Sequence, residues 1–318
     1  MNGVSSAPLP AHPVHPIKAM SQRAEDALRA DIVEVGRRLH ARGFVASNDG
    51  NISIRLGPET LLTTPKSVSK GFMTPDMMVV TDLTGRKIRG DRDPSSEILM
   101  HLEVYRNRPD AMAVVHAHPP VATGFAVAGI PLDRAVLAEV VATLGSIPIA
   151  EYGTPSTQEL PDAVRKYIKA HDGLLLANHG ALTVAGEVFA AYYKMETIEH
   201  FARISLVARL LGREHLLSRE EVLRLQALRG MYGIAAPAPI CADGSEVGAA
   251  SDPAECQVIQ APSAPGARLV PDDPGRPVLT LQTGTGAASK DGEIRLTYRE
   301  LTALIEDAVT ALLGGQHG

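Results

Sequence analysis

Ala111-Met112-Ala113-Val114-Val115-His116-Ala117-His118-Pro119-Pro120 is a short apolar, β-branched run that closes on two histidines. The pattern predicts a buried strand over Ala111–Val115 that ends at His116. Residues two apart on a strand point to the same side, so His116 and His118 can address one ion while Ala117 faces away. A second run, Leu174-Leu175-Leu176-Ala177, predicts another strand, with His179 just past its end and Gly180 permitting a sharp backbone change. Two strand ends then converge on one point. Three neutral imidazoles suit zinc or a similar first-row ion, and a three-histidine set leaves a coordination position open for water or substrate. Without an ion, a buried His-x-His pair would need two separate sets of hydrogen-bond partners. Glu97, in Pro94-Ser95-Ser96-Glu97, taken alone is a first-turn helix residue favoured by the helix dipole.

The surrounding chain sets the frame. With 318 residues, 45% hydrophobic side chains and a net charge of −5, it has material for one domain of about 200 residues plus additions. The mildly acidic balance offers no basic stripe for nucleic acid. No apolar stretch reaches the length of a membrane span, and the start lacks the pattern of a secretory signal, so an intracellular, cytoplasmic protein is expected. Cys241 and Cys256 are the only cysteines, which argues against a disulfide framework.

Residues 1–21, with Pro8, Pro10, Pro13 and Pro16, read as a flexible lead-in. Leu28, Ile32, Val35 and Leu39 recur at helical spacing from Gln22 to His40, with Gly43 as the stop. Strands are expected at 51–56, 78–81 and 112–116. Helices are expected near 96–106, 120–128, 158–170 and 187–211. The alternation argues for a layered α/β domain over 22–234. Residues 235–290 are rich in Pro, Ala, Gly and Ser and read as a linker. In the segment 291–318, Leu301, Leu304, Ile305, Ala308, Val309 and Leu312 share one face of a helix expected over 297–313, opposite Glu300, Thr302, Glu306 and Asp307. Thr297 to Glu300 matches a capping box, and Gly314-Gly315 supplies the stop.

Taken jointly, Ser47-Asn48-Asp49-Gly50-Asn51-Ile52-Ser53, Thr64-Pro65-Lys66-Ser67, Pro94-Ser95-Ser96-Glu97, His116-Ala117-His118, Tyr152-Gly153-Thr154 and Asn178-His179-Gly180 form a specific set. Residues 22 to 232 thereby resemble the class II aldolase/adducin family, and within it the fuculose-1-phosphate aldolases. The resemblance implies a three-layer fold with a central, mainly antiparallel sheet flanked by helices. It also implies one Zn2+ per subunit and a homotetramer with active sites between neighbouring subunits. His116, His118 and His179 would hold the zinc, with Glu97 as fourth ligand and as acid/base when substrate displaces it. Gly50, Asn51, Ser95 and Ser96 match the family's phosphate-binding positions, and Lys66-Ser67 stands where related sugar-phosphate aldolases often carry Thr-Gly. The implied reaction is cleavage of L-fuculose 1-phosphate or L-rhamnulose 1-phosphate to dihydroxyacetone phosphate and L-lactaldehyde.

The family's proton-donating tyrosine is replaced by Leu137, and a second family tyrosine matches Tyr232. A sugar-phosphate 4-epimerase of the same fold would be expected to carry aspartate at 97, whereas a methylthioribulose-1-phosphate dehydratase keeps both the glutamate and the histidines. A non-catalytic adducin-like scaffold would have little use for the complete ligand set. The C-terminal helix on its tether is similar to the encapsulation peptides that bring enzymes into bacterial microcompartments, which would place the protein in the compartment lumen with shell proteins as partners. Docking on the protein's own body and extra oligomer contacts are its other readings; a membrane-surface helix fits less well, because its polar face is acidic.

Overall fold

The run Ala113–Ala117 forms a strand buried at every position, with other strands paired on both of its edges. The computed structural model describes residues 22–232, 234, 268–270 and 295–297. Eight strands, β1 (Asn51–Arg55), β2 (Thr60–Thr63), β3 (Val79–Asp82), β4 (Lys87–Arg89), β5 (Ala113–Ala117), β6 (Ile149–Ala150), β7 (Gly173–Leu176) and β8 (Gly180–Ala185), form one sheet. Their spatial order is β4-β3-β2-β1-β5-β8-β7-β6. Every neighbouring pair is antiparallel except β6 with β7.

Alternation along β5 divides the core. Ala113, Val115 and Ala117 pack in a cluster with Ile32, Val35 and Leu39 of α1 (Gln22–Ala41). The same cluster takes Ala122 and Phe125 of α3 (Pro120–Val127) and Tyr192, Met195 and Ile198 of α6 (Val188–Leu210). Val114 points the other way, joining Leu174, Leu176, Leu182 and Val184 beneath α2 (Ile98–Asn107) and α5 (Glu159–Arg165). Helix, sheet and helix therefore make three layers, and each fully buried Val or Leu removed from water contributes about 1.5–3 kcal/mol. A small third cluster joins α4 (Ala138–Thr143) to α7 (Arg219–Ala227) through Val141 and Val222. α1 ends as its sequence requires: Gly43 has φ +68°, Phe44 N–H donates to Leu39 O and Gly43 N–H to His40 O, a Schellman pattern.

The structure departs from the sequence reading in detail. β2, β4, β6 and β8 were not expected; β4 and β6 have only three and two residues, too few for a period to register. α5 stops at Arg165, short of the expected 170. The chain divides into two compact units, 1–259 and 260–318. In the second, β9 (Arg268–Val270) and β10 (Arg295–Thr297) pair in parallel, so the expected linker contains a strand and Thr297 has strand backbone. The rest of the expected linker, the helix beyond Thr297 and the lead-in 1–21 lie outside the described residues. Among the described residues no helix is long and apolar enough to cross a membrane.

Candidate metal and anion site

The site forms where β5 ends and β1 and β8 begin, beside the start of α2. Antiparallel register sets Asn51, the first residue of β1, opposite His116. His116 is fully buried, and its Nδ1 lies 2.9 Å from Ala181 O on the neighbouring strand. That contact turns Nε2 toward His118 Nε2, 3.1 Å away. Glu97, the N-cap residue of α2, accepts from Asn51 Nδ2 through Oε2 at 2.8 Å. The same oxygen is 3.5 Å from His116 Nε2, and Oε1 is 3.1 Å from His179 Nε2. The three rings form a near-equilateral set, with centroids 4.9, 4.8 and 5.0 Å apart.

Two glycines make this approach possible. Gly50 has φ +73°, and a Cβ there would stand 2.7 Å from His116 O. Gly180 works differently from the sequence expectation. It is the first residue of β8, and the left-handed turn before it is carried by Asn178, with φ 54°. A Cβ on Gly180 would meet His118 Cδ2 at 2.5 Å and Ala117 O at 2.6 Å. Close packing, not backbone freedom, requires glycine there.

The spacing fits a metal. Donors around a tetrahedral first-row ion at about 2.0–2.1 Å are separated by about 3.3 Å. The separations of 3.1 Å between His116 and His118, and 3.5 and 3.1 Å from Glu97 to His116 and His179, bracket that value. The three imidazoles offer donor atoms within 4.8 Å of one another. Burial pushes His116 well below the usual imidazole range and lowers His118 as well, favouring the neutral form that binds a cation. Burial pushes the Glu97 carboxyl up, but His116, His179 and His118 outweigh it and hold the group well below the usual carboxylate range. Behind the ligands, Asp49 Oδ2 stands 3.4 Å from His118 Nδ1, as a group that orients the ring.

A cavity of about 360 Å³ opens over this set. Gly50, Asn51, Lys66, Ser67, Ser95 and Ser96 all border it, together with Glu97, His118 and His179. Not every expected donor is free: the Ser95 amide is spent on Thr64 O at 3.1 Å and the Lys66 amide on Asp93 O at 2.9 Å. Ser95 Oγ accepts from Glu97 N–H at 3.3 Å, ordering the first turn of α2. Asn51 Oδ1 is buried and makes no hydrogen bond among the described residues. Lys66 is exposed at the rim, while Lys70, not singled out in the sequence, borders the cavity and is 2% exposed. Burial pushes the Lys70 ammonium down to about 8, against the pull of Asp49 and Glu97. Leu137 packs against the large core cluster, with α4 starting just after it. Tyr232 closes a 3-10 turn, Arg229–Tyr232, and its side chain lies outside the described residues. Asp49 stood inside a quoted motif without a role, and Lys70 had no local signal, since a lysine in a polar loop ordinarily reads as exposed.

Residues 30–206 match the family described as Class II Aldolase and Adducin N-terminal domain. The chain belongs to that family. Its relatives perform several chemistries. It is 31% identical to a 3-oxo-tetronate 4-phosphate decarboxylase of Pectobacterium atrosepticum, over 59% of this chain and 87% of the relative. It is 33% identical to a 5-deoxy-D-ribulose 1-phosphate aldolase of Bacillus thuringiensis serovar kurstaki, over 64% and 96% respectively. Among solved structures, an L-fuculose 1-phosphate aldolase superposes with a TM-score of 0.60 at 29% identity, covering 63% of this chain and 95% of that one. The class II aldolase/adducin members so matched are enzymes, and the open eight-stranded sheet with its flanking helices is their fold.

Proposed function

We propose that this protein is a metal-dependent lyase that cleaves a short deoxyketose 1-phosphate between C3 and C4, releasing dihydroxyacetone phosphate and a small aldehyde. With L-fuculose 1-phosphate or L-rhamnulose 1-phosphate the aldehyde is L-lactaldehyde. The observation that carries the reading is the position of Glu97, between three convergent imidazoles and a cavity edged by Asn51, Ser95 and Ser96. His116, His118 and His179 hold the ion, zinc by ligand type. A divalent ion there supplies Lewis-acid stabilisation of the charge that cleavage leaves on the three-carbon fragment.

The chain's own groups do the rest. Asn51, Gly50 and the Ser95 and Ser96 hydroxyls bind the phosphate and fix the substrate relative to Glu97, with Lys66 and Ser67 at the rim. In cleavage the C4 hydroxyl loses its proton as the C3–C4 bond breaks and the bonding pair stays on the three-carbon fragment; Glu97, ionised and held by Asn51, takes up that proton and returns it to C3. Leu137 carries no acid or base group, so Tyr232 or water is the relay that passes the C4 hydroxyl proton to Glu97. A homotetramer with sites between neighbours is part of this reading. The exposed Val207, Leu210 and Leu211 at the end of α6 support it, and light scattering on the purified protein tests it. The C-terminal segment is proposed as a microcompartment address: deleting residues 291–318 leaves turnover intact and abolishes co-purification with shell proteins.

The deciding experiment is a substrate panel. Release of dihydroxyacetone phosphate from fuculose, rhamnulose and 5-deoxyribulose 1-phosphates is measured beside CO2 release from 3-oxo-tetronate 4-phosphate and dehydration of methylthioribulose 1-phosphate. Aldol cleavage faster than the other two reactions supports the proposal. Decarboxylation or dehydration alone sinks it.

A further inference from the structure

Lys70 is a buried cation that neither the motifs nor the reaction described above employs. It opens the 3-10 turn Lys70–Phe72, is 2% exposed and borders the cavity. Its Nζ donates to Asn48 O at 2.9 Å and to Val68 O at 2.8 Å. Those acceptors lie on two separate loops, one carrying Gly50 and the other Lys66 and Ser67. An ammonium has three donors, so one is left without an acceptor among the described residues. Among the described residues Lys70 forms no ion pair. The carboxylates whose field reaches it are Asp49 and Glu97, and both are engaged elsewhere, with His118 in one case and with Asn51, His116 and His179 in the other.

Burying an ammonium without a counter-ion is costly, and the cost is recovered when an anion of matching charge enters the same low-dielectric space. The cavity wall carries two carboxylates, Asp49 and Glu97, but both are committed to the histidines and neither pairs with Lys70 among the described residues. A neutral sugar would leave the charge uncompensated; a phosphate dianion would meet it together with the Ser95 and Ser96 hydroxyls and the Asn51 side chain.

We infer that Lys70 is the specificity-determining cation of this cavity, selecting phosphorylated over unphosphorylated ligands while tying the Asn48 and Val68 loops at the spacing the phosphate requires. The inference rests on the phosphate-binding reading above and adds to it a residue and a source of selectivity. Lys66, exposed at the rim, contributes less because solvent screens it.

Binding of inorganic phosphate, measured by calorimetry on the metal-loaded wild type, Lys70→Met and Lys70→Arg, tests it, together with KM and kcat for a ketose 1-phosphate and for the same ketose unphosphorylated. Lys70→Met is expected to weaken phosphate at least tenfold and to raise KM for the phosphorylated substrate by a similar factor, with the unphosphorylated ketose unaffected; Lys70→Arg recovers most of the loss. If Lys70→Met is less stable but keeps the wild-type preference for phosphate, Lys70 is only a strut and the inference is overturned. If the variant does not fold, a wild-type crystal soaked in phosphate decides. A phosphate oxygen within hydrogen-bond reach of Lys70 Nζ supports the assignment, and a phosphate seated elsewhere, or none, overturns it. A wild type that binds no phosphate and cleaves no ketose phosphate would instead remove the functional reading itself.

Discussion

Replacing Gly180 by alanine adds one methyl group at the point where β8 passes the metal ligands. The new Cβ would stand 2.5 Å from His118 Cδ2, 2.6 Å from Ala117 O and 3.3 Å from His116 Cε1. Ordinary carbon contacts are about 3.5–4.0 Å, so the overlap with the His118 ring is about 1 Å and something must move. The Ala117 carbonyl is held in the β5 strand, whereas His118 lies just beyond the strand end, so the ring yields first. Overpacking of this kind costs about 1–3 kcal/mol, and a displaced ligand passes that cost to the metal. At about 1.4 kcal/mol per decade, zinc affinity should fall roughly ten- to hundredfold. The assay is competition against a chromophoric chelator, with urea unfolding of the metal-free protein run beside it. Gly186→Ala is the control, since a Cβ there meets nothing within 4 Å. If Gly180→Ala binds zinc within twofold of the wild type and unfolds at the same urea concentration, the packing argument is wrong.

Glu97→Gln should leave zinc bound through the three histidines while aldol cleavage falls about 10²- to 10⁴-fold, read as dihydroxyacetone phosphate release; full cleavage would take the proton-transfer role from Glu97. Asp49→Asn removes the charge behind His118 and should weaken zinc about 10- to 100-fold in the same chelator competition, and an unchanged affinity would show that the 3.4 Å contact orients nothing. His101, fully buried with its Nδ1 2.7 Å from Ser53 Oγ, is pushed by burial from 6.5 down to about 4. Between those values the unfolded chain binds a proton that the native state does not, so the stability this residue contributes is present above pH 6.5 and is lost as pH falls toward 4, by about 3 kcal/mol. Urea melts of His101→Gln should be correspondingly flatter across that window, and equal slopes for variant and wild type would refute the assignment.

Much of the site was legible because its signals are local. The alternation of a strand anticipates His116 and His118 on one side, although β5 ends at Ala117 and His118 stands one residue past it, and the helical period of Leu28, Ile32, Val35 and Leu39 anticipates the buried face of α1. The motifs around Gly50-Asn51 and Ser95-Ser96 named the cavity's edge, and all of those residues border it.

What remained hidden depends on neighbours that are distant in sequence. Strand direction has no local signature, so the antiparallel order followed from the family resemblance and not from the alternation of elements. The reason for Gly180 is the approach of β8 to His118, which no property of Asn178-His179-Gly180 contains. Lys70 looks like any loop lysine until two loops fold over it and supply carbonyls for its ammonium. Side-chain period and residue type are properties of a few consecutive residues, and these the sequence by itself determined. The meeting of Glu97 with His116 and His179 was decided only by the tertiary structure, because it requires the β1-β5-β8 order that brings three strand ends to the first turn of α2.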